Sequence, residues 1–243
     1  MKITFLGTKG HIKTKSRLHK RHTSTLISHE KKRVMIDCGQ DWIKKVWKIK
    51  PNAIIITHTH PDHAFGLKNG SPCDVYATKD SWKDLKNFPI KKNFKHIMPI
   101  RKAKSIEGIT FEAFKVAHSI TCPAVGYRIT IKKTSIFYVP DLVAIRQQKA
   151  ALKNIKLYIG DGATITGGHL VRKKGDKLFG HTSVKTQLGW CQKEKVLKMI
   201  VTHCGSEIVK NDGRIIRAKI KALGKERNVE VDVAKDGMEI IFR

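Results

Sequence analysis

The chain has 243 residues, 40% hydrophobic and 28% charged, a balance that excludes an intrinsically disordered chain and is long enough to bury a substantial core. Its 49 Lys and Arg against 20 Asp and Glu give a formal charge of +29; such a field attracts polyanions, nucleic acid first, although a general lysine bias would produce the same excess. No apolar run is long enough to span a bilayer, residues 1–7 turn polar too quickly for a signal peptide, and five irregularly spaced Cys argue against a disulfide framework, so no membrane partner and a cytoplasmic location are expected.

Short apolar or alternating runs bounded by turns or charges predict strands over 2–6, 23–28 and 33–37. The continuous apolar run 53–57 predicts a buried strand. Further strands are expected at 74–77, 111–117, 125–131, 135–139 and 156–159, and late ones at 198–202, 230–233 and 238–242. Helical patterns fall between them, at 80–87, 142–152, 183–193 and 214–225. Hairpin-spaced strands in each half with helices interspersed predict two sheets packed face to face, helices outside, in one domain covering 1–243.

Residues 9–22, between the first two strands, are dense in cations and poor in apolar residues. They read as an exposed basic loop: a solvated connection, or an arm contacting phosphates through Lys13, Lys15, Arg17, Lys20 and Arg21. Cys38, Cys73, Cys122 and Cys191 read as small buried apolar residues. So does Cys204, in preference to a metal role beside His203.

The buried run at 53–57 is followed at once by His58-Thr59-His60-Pro61-Asp62-His63. A loop at a strand end can turn such side chains toward a common point, and His and Asp suit zinc, manganese or iron. Packing would not select so many polar groups there, because burying them without partners is costly. A structural zinc site would need only four ligands and would favour Cys.

This stretch resembles the His-x-His-x-Asp-His signature of the metallo-β-lactamase superfamily. The resemblance extends along the chain through Phe5-Leu6-Gly7-Thr8, Val34-Met35-Ile36-Asp37-Cys38-Gly39, Val116-Ala117-His118, Tyr138-Val139-Pro140-Asp141 and Val201-Thr202-His203. It implies an α/β fold, the four-layer αββα metallo-β-lactamase sandwich, with two divalent metal ions at the sheet edge; zinc is expected, with manganese or iron compatible. His58, His60 and His118 would hold one ion, Asp62, His63 and His203 the other, with Asp141 bridging. Asp161 competes for the bridging role, since it too ends an apolar run and precedes Gly. Asp37 would orient ligands from behind.

Within the superfamily the pattern is similar to the group containing tRNase Z and the cyclic phosphodiesterases. Gly180-His181-Thr182-Ser183 ahead of a helix matches that group's extra His, which implies that His181 acts on the scissile phosphate, aided by the helix N-terminus. Otherwise His181 is a surface residue beside a capping Thr182 or Ser183. Two departures bear on tRNA 3′-end processing: no long arm is inserted between His118 and Asp141, and the family's His-Glu-Ala-Thr stretch reads Gly160-Asp161-Gly162-Ala163-Thr164. The resemblance implies hydrolysis of RNA or DNA phosphodiesters, RNA ahead of DNA, by a hydroxide shared between the metals, with Asp62 handling its proton and a homodimer compatible. The rivals are a small-molecule hydrolase on the same fold, acting on a lactone, β-lactam or cyclic nucleotide, and a non-catalytic nucleic-acid-binding protein with a structural metal.

Overall fold

A computed structural model describes residues 1–168 and 170–242. Its strands are β1 (Lys2–Gly7), β2 (Ser24–His29), β3 (Lys32–Ile36), β4 (Ala53–Ile55), β5 (Asp74–Ala77), β6 (Lys95–Ile97), β7 (Lys104–Ile106), β8 (Ile109–Ala117), β9 (Ala124–Ile131), β10 (Thr134–Tyr138), β11 (Ala144–Ile145), β12 (Leu157–Asp161), β13 (Val171–Lys174), β14 (Lys177–Gly180), β15 (Lys198–Thr202), β16 (Glu230–Val233) and β17 (Glu239–Ile241). The α-helices are α1 (Val46–Ile49), α2 (Pro61–Ala64), α3 (Lys79–Asp84), α4 (Gln148–Leu152), α5 (Val184–Lys193), α6 (Ser206–Lys210) and α7 (Gly213–Lys225).

One sheet runs β17-β1-β2-β3-β4-β5-β6, the other β11-β8-β9-β10-β12-β15-β16 with β7 beside β8. Each opens as an antiparallel meander, β1-β2-β3 and β8-β9-β10, and continues with parallel strands. Two-residue turns tighten both meanders, and Glu30 and Lys132 take the left-handed backbone such turns demand, with φ of 53° each.

The strand period of two explains the layers. In β10, Ile136 and Tyr138 face the other sheet while Phe137 points outward, and in β4 Ala53 and Ile55 face inward while Ile54 points out. Strands buried on both sides read as unbroken apolar runs. Three apolar layers result: one between the sheets, one under α5 and α7 around Val184, Leu188 and Ile220, and one on the opposite face around Trp42, Val46 and Leu67. This is the expected αββα sandwich, with helices on both outer faces.

Several expectations change. The helix predicted over 142–152 is a strand, a turn and a short helix. Val143 and Arg146 donate backbone hydrogen bonds to Ala117 and Lys115 of β8, which carries the β-branched residues into the ladder before α4 begins. The hairpin β13–β14 was not expected. In the basic loop 9–22, Lys9, His19 and His22 are buried, whereas Lys13, Lys15, Arg17, Lys20 and Arg21 are exposed. Asp236 pins the loop by accepting from the Lys20 and Arg21 amides and from the Thr8 hydroxyl. Cys73 is half-buried rather than buried, and all five Cys are free. Among the described residues no helix is long and apolar enough to cross a membrane.

Candidate metal centre

Strand ends deliver the polar residues. His58 to His63 follow β4, His118 follows β8, Asp141 follows β10 and His203 follows β15, while Asp161 closes β12. Crevices beyond the carboxyl ends of parallel strands are where open α/β sheets bind ligands. Locally, His60 has extended backbone and Pro61 opens the single turn of α2, so the chain reverses direction between His60 and the pair Asp62 and His63. Gly39 presses on that turn: a Cβ there would lie 1.9 Å from the Asp62 carbonyl oxygen, so no other residue fits without moving the ligand backbone. The neighbouring Cys38 amide donates to the His63 carbonyl at 2.6 Å.

Hydrogen bonds behind the imidazoles set which nitrogen faces inward. The His63 Nδ1–H donates to Asp37 Oδ2 at 2.8 Å and the His118 Nδ1–H to the Gly180 carbonyl at 3.0 Å. Thr57 donates its hydroxyl to Asp37 and accepts from the His58 Nδ1–H at 3.0 Å. All three rings therefore turn Nε2 to the centre, the arrangement in which an acceptor behind a histidine fixes which nitrogen serves as the ligand atom. The His60 Nδ1 lies 3.1 Å from both the His58 and His118 Nε2 atoms. The edge of a tetrahedron with zinc–nitrogen bonds of about 2.0–2.1 Å is about 3.3 Å, so His60 stands from each of the other two donors at the spacing of one coordination sphere.

Asp141 lies at the junction. Its Oδ2 is 3.2, 3.0 and 3.5 Å from the inward nitrogens of His58, His63 and His118, and its Oδ1 is 2.8 Å from the His203 Nδ1. On the far side His203 Nε2 and His63 Nε2 reach Asp62 Oδ2 at 3.1 and 3.3 Å. Two donor quartets result, His58-His60-His118-Asp141 and Asp62-His63-Asp141-His203, each with its donors within 4.8 Å of one another. The buried atoms His63 Nε2, Asp141 Oδ1 and His203 Nδ1 make no hydrogen bond. Buried polar groups left so are rare and costly, and a cation between these atoms would satisfy all three. The His and Asp donor set fits two divalent ions sharing Asp141. Cys204 packs into the apolar layer under the helices and belongs to neither quartet.

Burial drives the His58 imidazole well below its ordinary pKa, lowers His60, and brings His118 down to about 4, so these rings are neutral, as ligands must be. Burial also opposes charge on His63 and His203, but the surrounding carboxylates Asp62, Asp141, Asp37 and Asp161 outweigh it and hold both well above the usual range. Conversely, burial would raise Asp62 and Asp141, yet His63 and His203 keep both well below the usual carboxylate range. Positive charge is thus favoured at His63 and His203, where a divalent cation would also be favoured.

Asp161 is engaged elsewhere. It accepts from the Ala163 amide at 2.8 Å, the Leu142 amide at 3.2 Å and the His181 Nδ1–H at 2.7 Å. A third possible donor group, Asp141-Asp161-His181-His203, would have to break that pair. His181 stacks on His203, edges onto His118 and lines a hollow of about 170 Å³ over the centre. The helix N-terminus contributes no anion site, contrary to expectation. The Val184 and Lys185 amides bind the Thr164 and Ile165 carbonyls, and Thr186 is capped by Ser183 Oγ.

The hollow is also lined by His11, Ser119, Arg172 and Phe179, none of which the sequence singles out as site residues. His11 Nδ1 lies 3.7 Å from Asp62 Oδ1. None of Lys13, Lys15, Arg17, Lys20 and Arg21 lines it; Arg21 instead lies over the Trp42 ring.

Asp37 stands behind both His63 and Thr57. Asp37→Asn would set an amide N–H₂ against one of the N–H donors now satisfied, from His63 or the Thr57 backbone. It is expected to weaken metal affinity by about 10–100-fold with the fold retained, read by competition with a chelating dye.

The profile of the beta-lactamase superfamily domain matches residues 32–204, and the chain belongs to that superfamily. Among curated relatives, exodeoxyribonuclease WalJ of Streptococcus pneumoniae is 30% identical over 116 residues, 41% of this chain and 43% of its own. Ribonuclease Z of Methanococcus maripaludis is 29% identical over 154 residues, 52% and 47%, and that of Gloeothece citriformis 28% over 218 residues, 79% and 65%. The chain therefore spans about half to under two thirds of these relatives' length. The metallo-β-lactamase fold protein YhfI of Bacillus subtilis superposes with a TM-score of 0.75 at 16% identity, covering 98% of each chain. The human short-form tRNase Z does so at 0.68 and 18%, covering 100% of each. At these identities they establish the fold.

Proposed function

We propose that the chain is a dinuclear metal-dependent phosphodiesterase acting on nucleic acid, RNA ahead of DNA, through the single domain 1–243. The observation that carries this reading is the pair of donor quartets sharing Asp141, with the Asp161–His181 pair at their rim. His58, His60 and His118 would hold one ion and Asp62, His63 and His203 the other, with Asp141 available to both; the donor set suits zinc. When bound, such ions lower the pKa of water and neutralise charge on a phosphoryl oxygen.

The chain's own residues supply the rest. Asp62 lines the hollow, with Oδ1 3.7 Å from His11 Nδ1 on its wall, and would orient the attacking water and take up its proton as the new bond forms. The water oxygen attacks phosphorus in line, and the bond to the leaving oxygen breaks. His181, held by Asp161 through Nδ1, presents Nε2–H to a phosphate oxygen or to the leaving oxygen. Burial opposes charge on His181, but Asp161 and Asp141 outweigh it and raise its pKa, which keeps it a donor.

The hollow over the centre has room for little beyond the reacting group, and the larger space that adjoins it is a groove lined by exposed cations, which favours a long polyanion over a small apolar substrate. About 170 Å³ is below the roughly 300 Å³ at which enclosed small-molecule pockets begin. It admits one phosphodiester group whose flanking parts lie outside. The formal charge of +29 and the nuclease relatives support a polymeric polyanion.

Turnover of bis(p-nitrophenyl) phosphate and of a labelled single-stranded RNA, with zinc and then manganese, tests the reading. Both substrates are expected to be cleaved, and His181→Ala to lower kcat by about 10²–10³-fold with little change in KM. Cleavage of a lactone or β-lactam panel with neither phosphodiester cut would reverse it.

A further inference from the structure

A second concavity joins the metal centre. Ser119 lines both the hollow and a groove of about 730 Å³ that runs beneath the tip of the β13–β14 hairpin and along the edge strand β11. Lys79, Lys115, Arg146 and Lys177 line it, all exposed. Arg146 donates its backbone amide to the Lys115 carbonyl at 2.9 Å, so these two cations stand side by side, Lys115 on β8 and Arg146 just past the end of β11. None of the four forms an ion pair among the described residues. Of the two carboxylates on the rim, Asp80 is paired with Lys83 at 2.8 Å, leaving Asp176.

Apolar surface lies between the charges. Ile97 is 57% and Leu178 41% exposed, and both line this groove. Isolated exposed apolar residues need no explanation, but two large ones in one channel with four unpaired cations do. Phosphates answer the cations, and the flat apolar faces of unpaired bases can cover the aliphatic side chains by simple contact. A duplex keeps its base faces stacked inside and would leave Ile97 and Leu178 in water. The hairpin supplies material to both concavities, Arg172 and Phe179 to the hollow and Lys177 and Leu178 to the groove.

We infer that this groove is the track for single-stranded nucleic acid on one side of the cleaved phosphate, with Lys115, Arg146 and Lys177 on consecutive phosphates and Leu178 and Ile97 against bases. The inference rests on the phosphodiesterase reading for its catalytic end, but the groove's affinity is measurable apart from turnover.

The test is fluorescence anisotropy of a labelled single strand on the metal-loaded protein over a salt series. It compares wild type, the groove variant K115Q/R146Q/K177Q, and K31Q/K44Q/K48Q, which removes the same charge from exposed lysines elsewhere. All six positions are exposed, so folding is not at stake. The groove variant is expected to bind at least about tenfold more weakly, with the slope of log affinity against log salt reduced by about 2, while the other triple changes little. Unlabelled single strand should displace the probe better than duplex of the same sequence. An equal loss in both triples, competition by duplex as strong as by single strand, or no binding by wild type would overturn the track. A wild type that binds the strand through the groove yet cleaves no phosphodiester would overturn the proposed reaction and leave the track standing.

Discussion

Asp141→Ala is expected to strip the chain of most of its bound metal and to lower phosphodiester turnover by about 10³-fold or more. Asp141 alone belongs to every candidate donor group, whereas His203 recurs only in the one with Asp161 and His181 and each other predicted ligand belongs to a single group. Its Oδ2 faces His58 and His63 at 3.2 and 3.0 Å and its Oδ1 faces His203 at 2.8 Å. Removing the carboxylate withdraws a negative charge from between the two positions, where both cations need it most. Two-metal stabilisation of a phosphoryl transition state is worth several kcal/mol, and each 1.36 kcal/mol is about tenfold in rate, which sets the scale. The informative partner is Asp161→Ala. Asp161 spends its oxygens on the Leu142 and Ala163 amides and on His181. That variant should keep its metal while losing about 10²-fold in kcat through a misoriented His181. Elemental analysis of both variants beside bis(p-nitrophenyl) phosphate kinetics reads the two effects separately. If Asp161→Ala loses metal and Asp141→Ala keeps it, the bridging assignment is reversed.

That pair of aspartates also marks how far the sequence is legible. His58 to His63 announce themselves because four donors crowd one strand end, and packing has no use for them there. Asp141 and Asp161 look alike in sequence, each closing an apolar strand. What separates them is which backbone amides point at which carboxylate, and those amides come from the loops after β10 and β12 folding across each other. The sandwich is legible because strands buried on both faces leave unbroken apolar runs, such as the run through β12. The β13–β14 hairpin is not, because Arg172, Lys173, Lys174 and Lys177 give no apolar alternation. Its one local signal is the two-residue turn Gly175-Asp176, with Gly175 at φ 55°. The buried state of Lys9 and His22 was equally hidden. Their contacts, Lys9 Nζ to His22 Nε2 at 2.9 Å and His22 Nδ1 to Asp41 at 2.9 Å, close only when the loop folds back on the first sheet. Cation density therefore reported the loop's composition and not which of its residues meet solvent.

Chelation is expected to leave the protein folded but to lower its thermal midpoint by roughly 10 °C for each ion removed. An ion that binds only the native state at about a thousand times its Kd contributes about 4 kcal/mol, and for a domain of this size each kcal/mol is worth about 2–4 °C. Folding should survive because Asp62, Asp141 and Asp37 around His63 and His203 favour a proton on each ring, which offsets part of the carboxylate charge once the cations are gone. That offset is imperfect. Asp141 Oδ1, His63 Nε2 and His203 Nδ1 still lack hydrogen bonds, and buried ion pairs recover their desolvation cost only when such atoms are satisfied. The midpoint should therefore rise again with free metal concentration, as linkage requires, and Asp141→Ala should abolish most of that response. A midpoint indifferent to chelator and to added zinc or manganese would mean that the quartets are a self-sufficient network of histidines and carboxylates, and the metal centre would be lost as the basis of function.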